Sequence, residues 1–486
     1  MNIKIINKYT KLPKPLKATI AFVVANTITQ GLNLLATPIF MKFMTSEEIG
    51  VVINFNSWMT LLGIIINMVL YSSSYMIAMN DFSNERYEYT SCALFISICS
   101  ALIFLIICYF FSTSIQSITH MNKNLILLMC VCFLFLPATN FWYGMQRYEY
   151  HYIKVLLLGI FTGFISVTLS IFSVIYAKLY NFNTGEARIF GMNIINILIG
   201  IYFSYQIFRK GKMVWSKRFY KFILIVNTPM IFHALSKCIL DISDRLMISS
   251  YIGIKEAGIY GTVYSISTVI MIIWSAVNIA IIPYLFSKMN VINENLQLLQ
   301  KSVKSILLVC CLLSIILNFI LPELVVIFTA SEYENAIDII PLIVSSCFIT
   351  CIYSMLGNIL LYNKKTYSIM IATGFGAIVN IFLNWVLIPK FGYKVASYTT
   401  LISYIILTLL LYYAILKIKN KTSKIFNGMF ICRIIVLNIL INMIIVYLYS
   451  YKIIYYSILL ILFLVLVLKG KKIYFELIKL KDNGSQ

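Results

Sequence analysis

Five ionisable residues crowd one otherwise apolar stretch of the chain: His233, Lys237, Asp241, Asp244 and Arg245. Steps of four, four and three put His233, Lys237, Asp241 and Asp244 on one face of a helix. Far upstream, Asn26, Gln30, Asn33 and Thr37 follow at steps of four, three and four, again a single face. An ammonium is a compact donor suited to phosphate oxygens, and a row of amides suits hydroxyl groups. Lys237 thus serves either a ligand or its i+4 neighbour Asp241, and the amide row either lines a path or binds helix to helix. Asp244 and Arg245, nearer the end of the stretch, read as an interfacial ion pair. No catalytic residue is expected, because His233 and Asp241 lie two helical turns apart on one helix. Metal ligation is not expected either: the chain has three His, and its eleven Cys include no CxxC pair and fall mostly in apolar blocks.

These residues need elements that can hold charge inside apolar surroundings. A chain that is 61% hydrophobic and 12% charged cannot shield its apolar surface as a soluble globule. Its apolar residues come in fourteen blocks of roughly 20, the length that crosses a hydrocarbon core of about 30 Å. They run from about 18–40, 50–78 and 90–112 to about 428–449 and 453–468. The first follows a basic arm without a small-residue cleavage site and reads as a retained span. Of the 39 Lys and Arg residues, 29 fall on the side of the N-terminus, eight on the opposite side and two within a span. That bias places both termini in the cytoplasm of a plasma membrane. The net charge of +22 follows from topology and attraction to anionic lipid, so nucleic acid is not an expected partner. The loops are too short for a nucleotide-hydrolysing domain, and no GxxxxGK[ST] occurs.

A repeat organises the blocks. "FMTSEEIGVV" from Phe43 and "YIGIKEAGIY" from Tyr251 align at an offset of 208, pairing Glu48 with Glu256 and Gly50 with Gly258. Each copy follows a polar-striped span, the first or the seventh. The glycines are expected to admit close approach or positive φ, and the glutamates to cap the next helix. The predicted fold is an all-α polytopic membrane protein with about fourteen transmembrane helices. Its two six-helix lobes, 1–208 and 221–416, are related by a pseudo-two-fold axis along the membrane normal. A basic linker, 209–220, joins them, and 417–486 adds spans thirteen and fourteen with a basic tail.

Four segments in this order, "FMTSEEIGVVINFNSW", "FWYGMQRYEYHYIKV", "DRLMISSYIGIKEAGIYGTVYSI" and "LIPKFGYKVASYTTLISY", resemble the Wzx-type polysaccharide flippases. These belong to the multidrug/oligosaccharidyl-lipid/polysaccharide exporter (MOP) superfamily. The resemblance implies movement of an undecaprenyl-pyrophosphate-linked O-antigen or capsule repeat unit from the inner to the outer leaflet by alternating access. It also implies coupling to a monovalent cation or proton, a polysaccharide polymerase as partner, and no cofactor. Cations in a central cavity are the family's habit, and Lys237 best fits it. Asn26, Gln30, Asn33 and His233 would then contact saccharide, with Asp241, Asp244 and Arg245 as coupling or ion-pair groups. An ion-coupled drug/cation antiporter of the same superfamily is the alternative. It would be expected to carry a membrane-embedded carboxylate in the first six spans, where Glu47, Glu48 and Glu186 all lie at ends.

Overall fold

The structure, a computed structural model, describes residues 14–212, 214–418 and 421–458. Its helices are α1 (Lys14–Phe43), α2 (Ser46–Ile66), α3 (Ser73–Asp81), α4 (Arg86–Phe110), α5 (Ser112–Thr119), α6 (Lys123–Tyr148), α7 (Tyr152–Leu179) and α8 (Thr184–Gly211). After the linker come α9 (Lys217–Tyr251), α10 (Ile254–Ser267), α11 (Val269–Asn290), α12 (Ile292–Phe328), α13 (Ile340–Tyr362), α14 (Thr366–Phe391), α15 (Val395–Leu416) and α16 (Gly428–Tyr449), with 3-10 turns at Ser331–Ile339 and Lys421–Ile425. Among the described residues eleven helical segments are long and apolar enough to cross a membrane, or twelve if α9 is one span. The two parts of α9 meet at 40°. The bend falls at Pro229, where the chain has no amide hydrogen for the helical ladder. The fourteenth predicted block, 453–468, is helical as far as residue 458, and the rest of it lies outside the described residues.

Two blocks expected to be single spans are broken. The second stops at Ile66, and the chain passes through Met68 (φ 49°) and Val69 (φ 55°) before α3 begins. A β-branched residue in the left-handed region is a strained one. The eighth divides into α10 and α11 at Thr268. Apolar composition records length, and it is blind to such breaks in the backbone.

Helix starts follow side-chain chemistry. Thr45 and Glu48 form a capping box on α2, while Asn122, Asn183 and Asn427 accept from the first amides of α6, α8 and α16. The packing is then repeated between the two parts of the chain. In the first, α1 packs on α7, α7 on α8, α6 on α8, and α4 on α6. In the second, the corresponding pairs are α9 on α14, α14 on α15, α13 on α15, and α12 on α13. Each part has its own buried cluster, one around Tyr75, Tyr89 and Phe141, the other around Phe348, Leu356 and Leu407. A third cluster unites them at the end where both polar turns lie, and includes Met44, Val52, Ile248, Tyr260 and Ile388.

Candidate functional site

The polar turns meet each other. α2 and α10 cross with their backbones in contact, and glycine is what lets them. A Cβ on Gly50 would fall on the Ile254 carbonyl oxygen; one on Gly258 would fall on the Ser46 carbonyl and come within 2.8 Å of the Gly50 nitrogen. Ser46 and Ile254 are themselves 208 positions apart. The contact is therefore reciprocal, the pattern that a two-fold relation imposes. One helical turn on, a Cβ on Gly261 would meet the Ile53 side chain at 2.8 Å, another pair separated by 208.

Close approach is thus the glycines' role here, and the positive φ expected as an alternative belongs to another residue. Gly253 turns the chain in the second copy, at φ 157° and ψ 163°. Its counterpart is Thr45, at φ −79° and ψ 163°. Glu48 caps α2 through the Thr45 amide at 2.8 Å and also accepts from the Thr184 amide at 3.1 Å, tying α2 to the start of α8. Glu256 makes no matching capping box, because the N-cap residue Gly253 has no side chain to reciprocate.

On α9 the i, i+4 spacing delivers its ion pair. The Lys237 ammonium bonds Asp241 Oδ1, which also accepts from the Tyr404 hydroxyl at 2.6 Å. Lys237 Nζ lies 3.4 Å from that hydroxyl and within 6 Å of the ring centres of Tyr353 (5.9 Å) and Tyr404 (5.7 Å). These tyrosines on α13 and α15 were invisible to local spacing, although Tyr404 closes the fourth quoted segment. Asp244 is buried and accepts from the Tyr260 hydroxyl at 2.7 Å and the Arg245 amide at 2.8 Å. The Arg245 guanidinium lies 4.1 Å over the Tyr264 ring, and its buried Nε has no hydrogen-bond partner. The interfacial ion pair expected of these two does not form: Asp244 is buried, Arg245 is half-buried, and each side chain is held by a tyrosine of α10 instead of by the other.

Lys237, Asp241 and Arg245 share one cavity of about 270 Å³ with Tyr264, Thr350 and Tyr404. Its lining comes from α9, α10, α11, α13 and α15 and the Thr268 break. Two cations and one carboxylate line it, and the buried Asp244 stands behind Arg245. Its volume lies below the roughly 300–1,000 Å³ of a site for a drug-sized ligand. His233, exposed on the same face, reaches Thr373 Oγ1 at 3.3 Å. Between α9, α14 and α15, Ser243, Asn380, Asn384 and Thr399 form a buried hydrogen-bonded chain that no single-helix pattern could disclose.

In the amide row Gln30 and Asn33 are exposed; among the described residues Asn33 bonds the Thr29 carbonyl one turn back (3.1 Å), and Thr37 bonds the Asn33 carbonyl. The side chain of Asn26 lies outside the described residues. Elsewhere, Arg188 places its guanidinium 3.7 Å over the Phe40 ring, joining α8 to α1 near the polar turns.

Residues 16–290 match the family described as polysaccharide biosynthesis protein. The chain is 28% identical over 281 residues to an uncharacterized membrane protein of Methanocaldococcus jannaschii, covering 55% of this chain and 62% of that one. It is 26% identical over 212 residues to an uncharacterized membrane protein of Haemophilus influenzae, covering 42% and 52%. The matches thus span roughly half of those relatives' own length. In fold it is similar to the lipid II flippase MurJ in an inward closed conformation (TM-score 0.66, 16% identity, 93% of this chain and 100% of that one). It is also similar to an inward-facing multidrug resistance MATE family transporter of the MOP superfamily (TM-score 0.57, 13% identity, 81% and 97%). With the family match running over more than half its length, this multi-pass membrane chain belongs to the polysaccharide biosynthesis protein family.

Proposed function

We propose that the protein is a flippase that carries an undecaprenyl-pyrophosphate-linked oligosaccharide from the cytoplasmic to the outer leaflet of a bacterial plasma membrane, for surface polysaccharide assembly. It is not an enzyme on this reading. The observation that carries the proposal is the cavity lined by both Lys237 and Arg245, within a fold shared with a lipid II flippase. A pyrophosphate cannot enter hydrocarbon unaided, whereas a polyprenyl tail can remain in it. Lys237 and Arg245 supply donors to the pyrophosphate, and the exposed Gln30 and Asn33, with Asn26 and His233, meet saccharide hydroxyls. The 1–208 and 221–416 parts act as two lobes, rocking about the crossing of α2 and α10, with spans thirteen and fourteen appended. Asp241 and Asp244 provide the site at which a proton or monovalent cation couples to that motion. A polymerase that consumes the flipped unit is the expected partner.

Lys237 tests the reading. Export of the saccharide should be abolished in Lys237→Ala with the protein still in the membrane, and partly kept in Lys237→Arg. Recovery of export in Lys237→Ala combined with Asp241→Ala would reduce Lys237 to a structural ion pair.

The antiporter alternative retains one supporting observation, the likeness of fold to MATE transporters. Its expected carboxylate within the first six spans has no candidate away from a helix end.

A further inference from the structure

A second set of cavities lies at the opposite end of the helices from the polar turns, where α8 ends and α9 begins. In the first part of the chain, a cavity of about 250 Å³ is lined by Lys154 at the start of α7, Lys210 at the end of α8, and Gln146, His151, Gln206 and Trp142. The segment "FWYGMQRYEYHYIKV" supplies much of this wall, a use of that segment which the transport reading leaves out. Its irregular corner is built locally: Tyr150 sits at φ 58°, the His151 amide bonds the Gln146 carbonyl at 2.8 Å, and Gln146 Oε1 meets His151 Nδ1 at 3.2 Å. Glu149, also in the wall, lies 3.1 Å from the same ring nitrogen.

The second part of the chain has a cavity of about 380 Å³ between α14 and α15. Lys365 stands immediately before α14 and Lys417 immediately after α15, with Ser368 and Tyr413 between them. Since α7 and α8 correspond to α14 and α15 in the repeated packing, both parts hold a helix-start lysine and a helix-end lysine over a cavity at the same end. Each cavity also continues onto apolar helix surface. Lys154 heads a groove of about 660 Å³ along Leu157, Phe161 and Phe164, and Ile371 and Leu410 extend the other.

We propose that each part binds the headgroup of an anionic phospholipid at this end, its phosphate between the two lysines and its acyl chains along the apolar wall. Basic pockets between membrane helices recognise phosphate headgroups by this combination of ammonium donors and adjoining hydrocarbon. The cost of holding Lys154 and Lys417 at a membrane boundary is met by the lipid phosphate rather than by a protein carboxylate. Glu149 distinguishes the first site, since it faces His151 and makes no ion pair with either lysine; Lys210 instead lies 5.3 Å over the Tyr87 ring. Two sites in equivalent positions would fix the rims of both moving parts to one leaflet. Which leaflet that is rests on the topology proposed above, whereas binding at this end of the helices does not.

Acylation of lysines in the intact protein, read by peptide mass spectrometry, tests the proposal without a variant that must fold. The protein is placed in nanodiscs of phosphatidylcholine alone, of phosphatidylcholine with phosphatidylglycerol, and of phosphatidylcholine with excess inorganic phosphate outside. Lys154, Lys210, Lys365 and Lys417 should each label several-fold more slowly with phosphatidylglycerol, whereas Lys301, at the same end but lining neither cavity, should change little. Equal protection of Lys301 would reduce the effect to surface potential and overturn the proposal. Protection by inorganic phosphate alone would overturn it in favour of a soluble anion. As a second readout, native mass spectrometry should find about one phosphatidylglycerol fewer on Lys154→Gln with Lys210→Gln, and on Lys365→Gln with Lys417→Gln, than on the wild type. Unchanged lipid counts in both would contradict a specific site.

Discussion

At the scale of single residues, the two glycines of the crossing are tightly constrained. Their neighbours are backbone atoms of the opposing helix, which cannot rotate out of the way as a side chain can. Gly50→Val and Gly258→Val should each lower the amount of folded protein, at an overpacking cost of about 1–3 kcal/mol or more. Membrane abundance and size-exclusion profiles measure this. Normal abundance with abolished export would instead make the crossing a gate that must open. What the sequence disclosed at this scale was a matter of spacing. The Lys237–Asp241 pair is a four-residue step on one helix, and it is there in the structure. Tyr404, 163 residues beyond Asp241, completes the same network, and no local period reaches that far. The repeat likewise named Gly50 and Gly258 without disclosing that they touch, because two copies of a motif meet only when an axis passes between them.

At the scale of elements, the two copies of the turn solve one problem in two ways. Thr45 starts α2 with an extended backbone and a hydroxyl for the Glu48 amide, whereas Gly253 starts α10 from a conformation that side-chain-bearing residues rarely adopt. The substitutions should therefore be asymmetric. Thr45→Gly should cost only a few tenths of a kcal/mol, since glycine is itself a tolerated N-cap. Gly253→Ala should cost about 1–3 kcal/mol from backbone strain, since the Glu256 carboxylate near its Cβ can swing aside. Thermal unfolding midpoints in detergent compare them; equal losses would mean that the two turns share one backbone conformation. The elements themselves were largely legible, since an apolar block of about 20 residues dictates a helix in lipid. Their interruptions at Met68–Val69 and at Thr268 were not, because Met, Val and Thr carry no breaker signal comparable to Pro or Gly.

At the scale of the whole molecule, charge sets the orientation and packing sets the halves. Reporter fusions after Lys212 and after Lys421 should report cytoplasm, and one near Glu334 should report the outside. Inversion at two of the three would overturn the arrangement of spans. The repeated helix pairs and the reciprocal glycine contact support two lobes that meet at the polar turns, the end which this topology assigns to the outer face. Substrate would then enter from the cytoplasmic side and leave as the lobes rock about the crossing of α2 and α10. The account stands on movement of a pyrophosphate lipid between leaflets. The direct measurement reconstitutes the protein with a fluorescent undecaprenyl-pyrophosphate oligosaccharide and follows the rate at which label becomes accessible to an impermeant quencher in the opposite leaflet. The account predicts transfer that depends on the protein, is lost in Lys237→Ala and is partly kept in Lys237→Arg. Folded protein that leaves this rate at the value of empty liposomes, while expelling a cationic dye when an ion gradient is imposed, would contradict it.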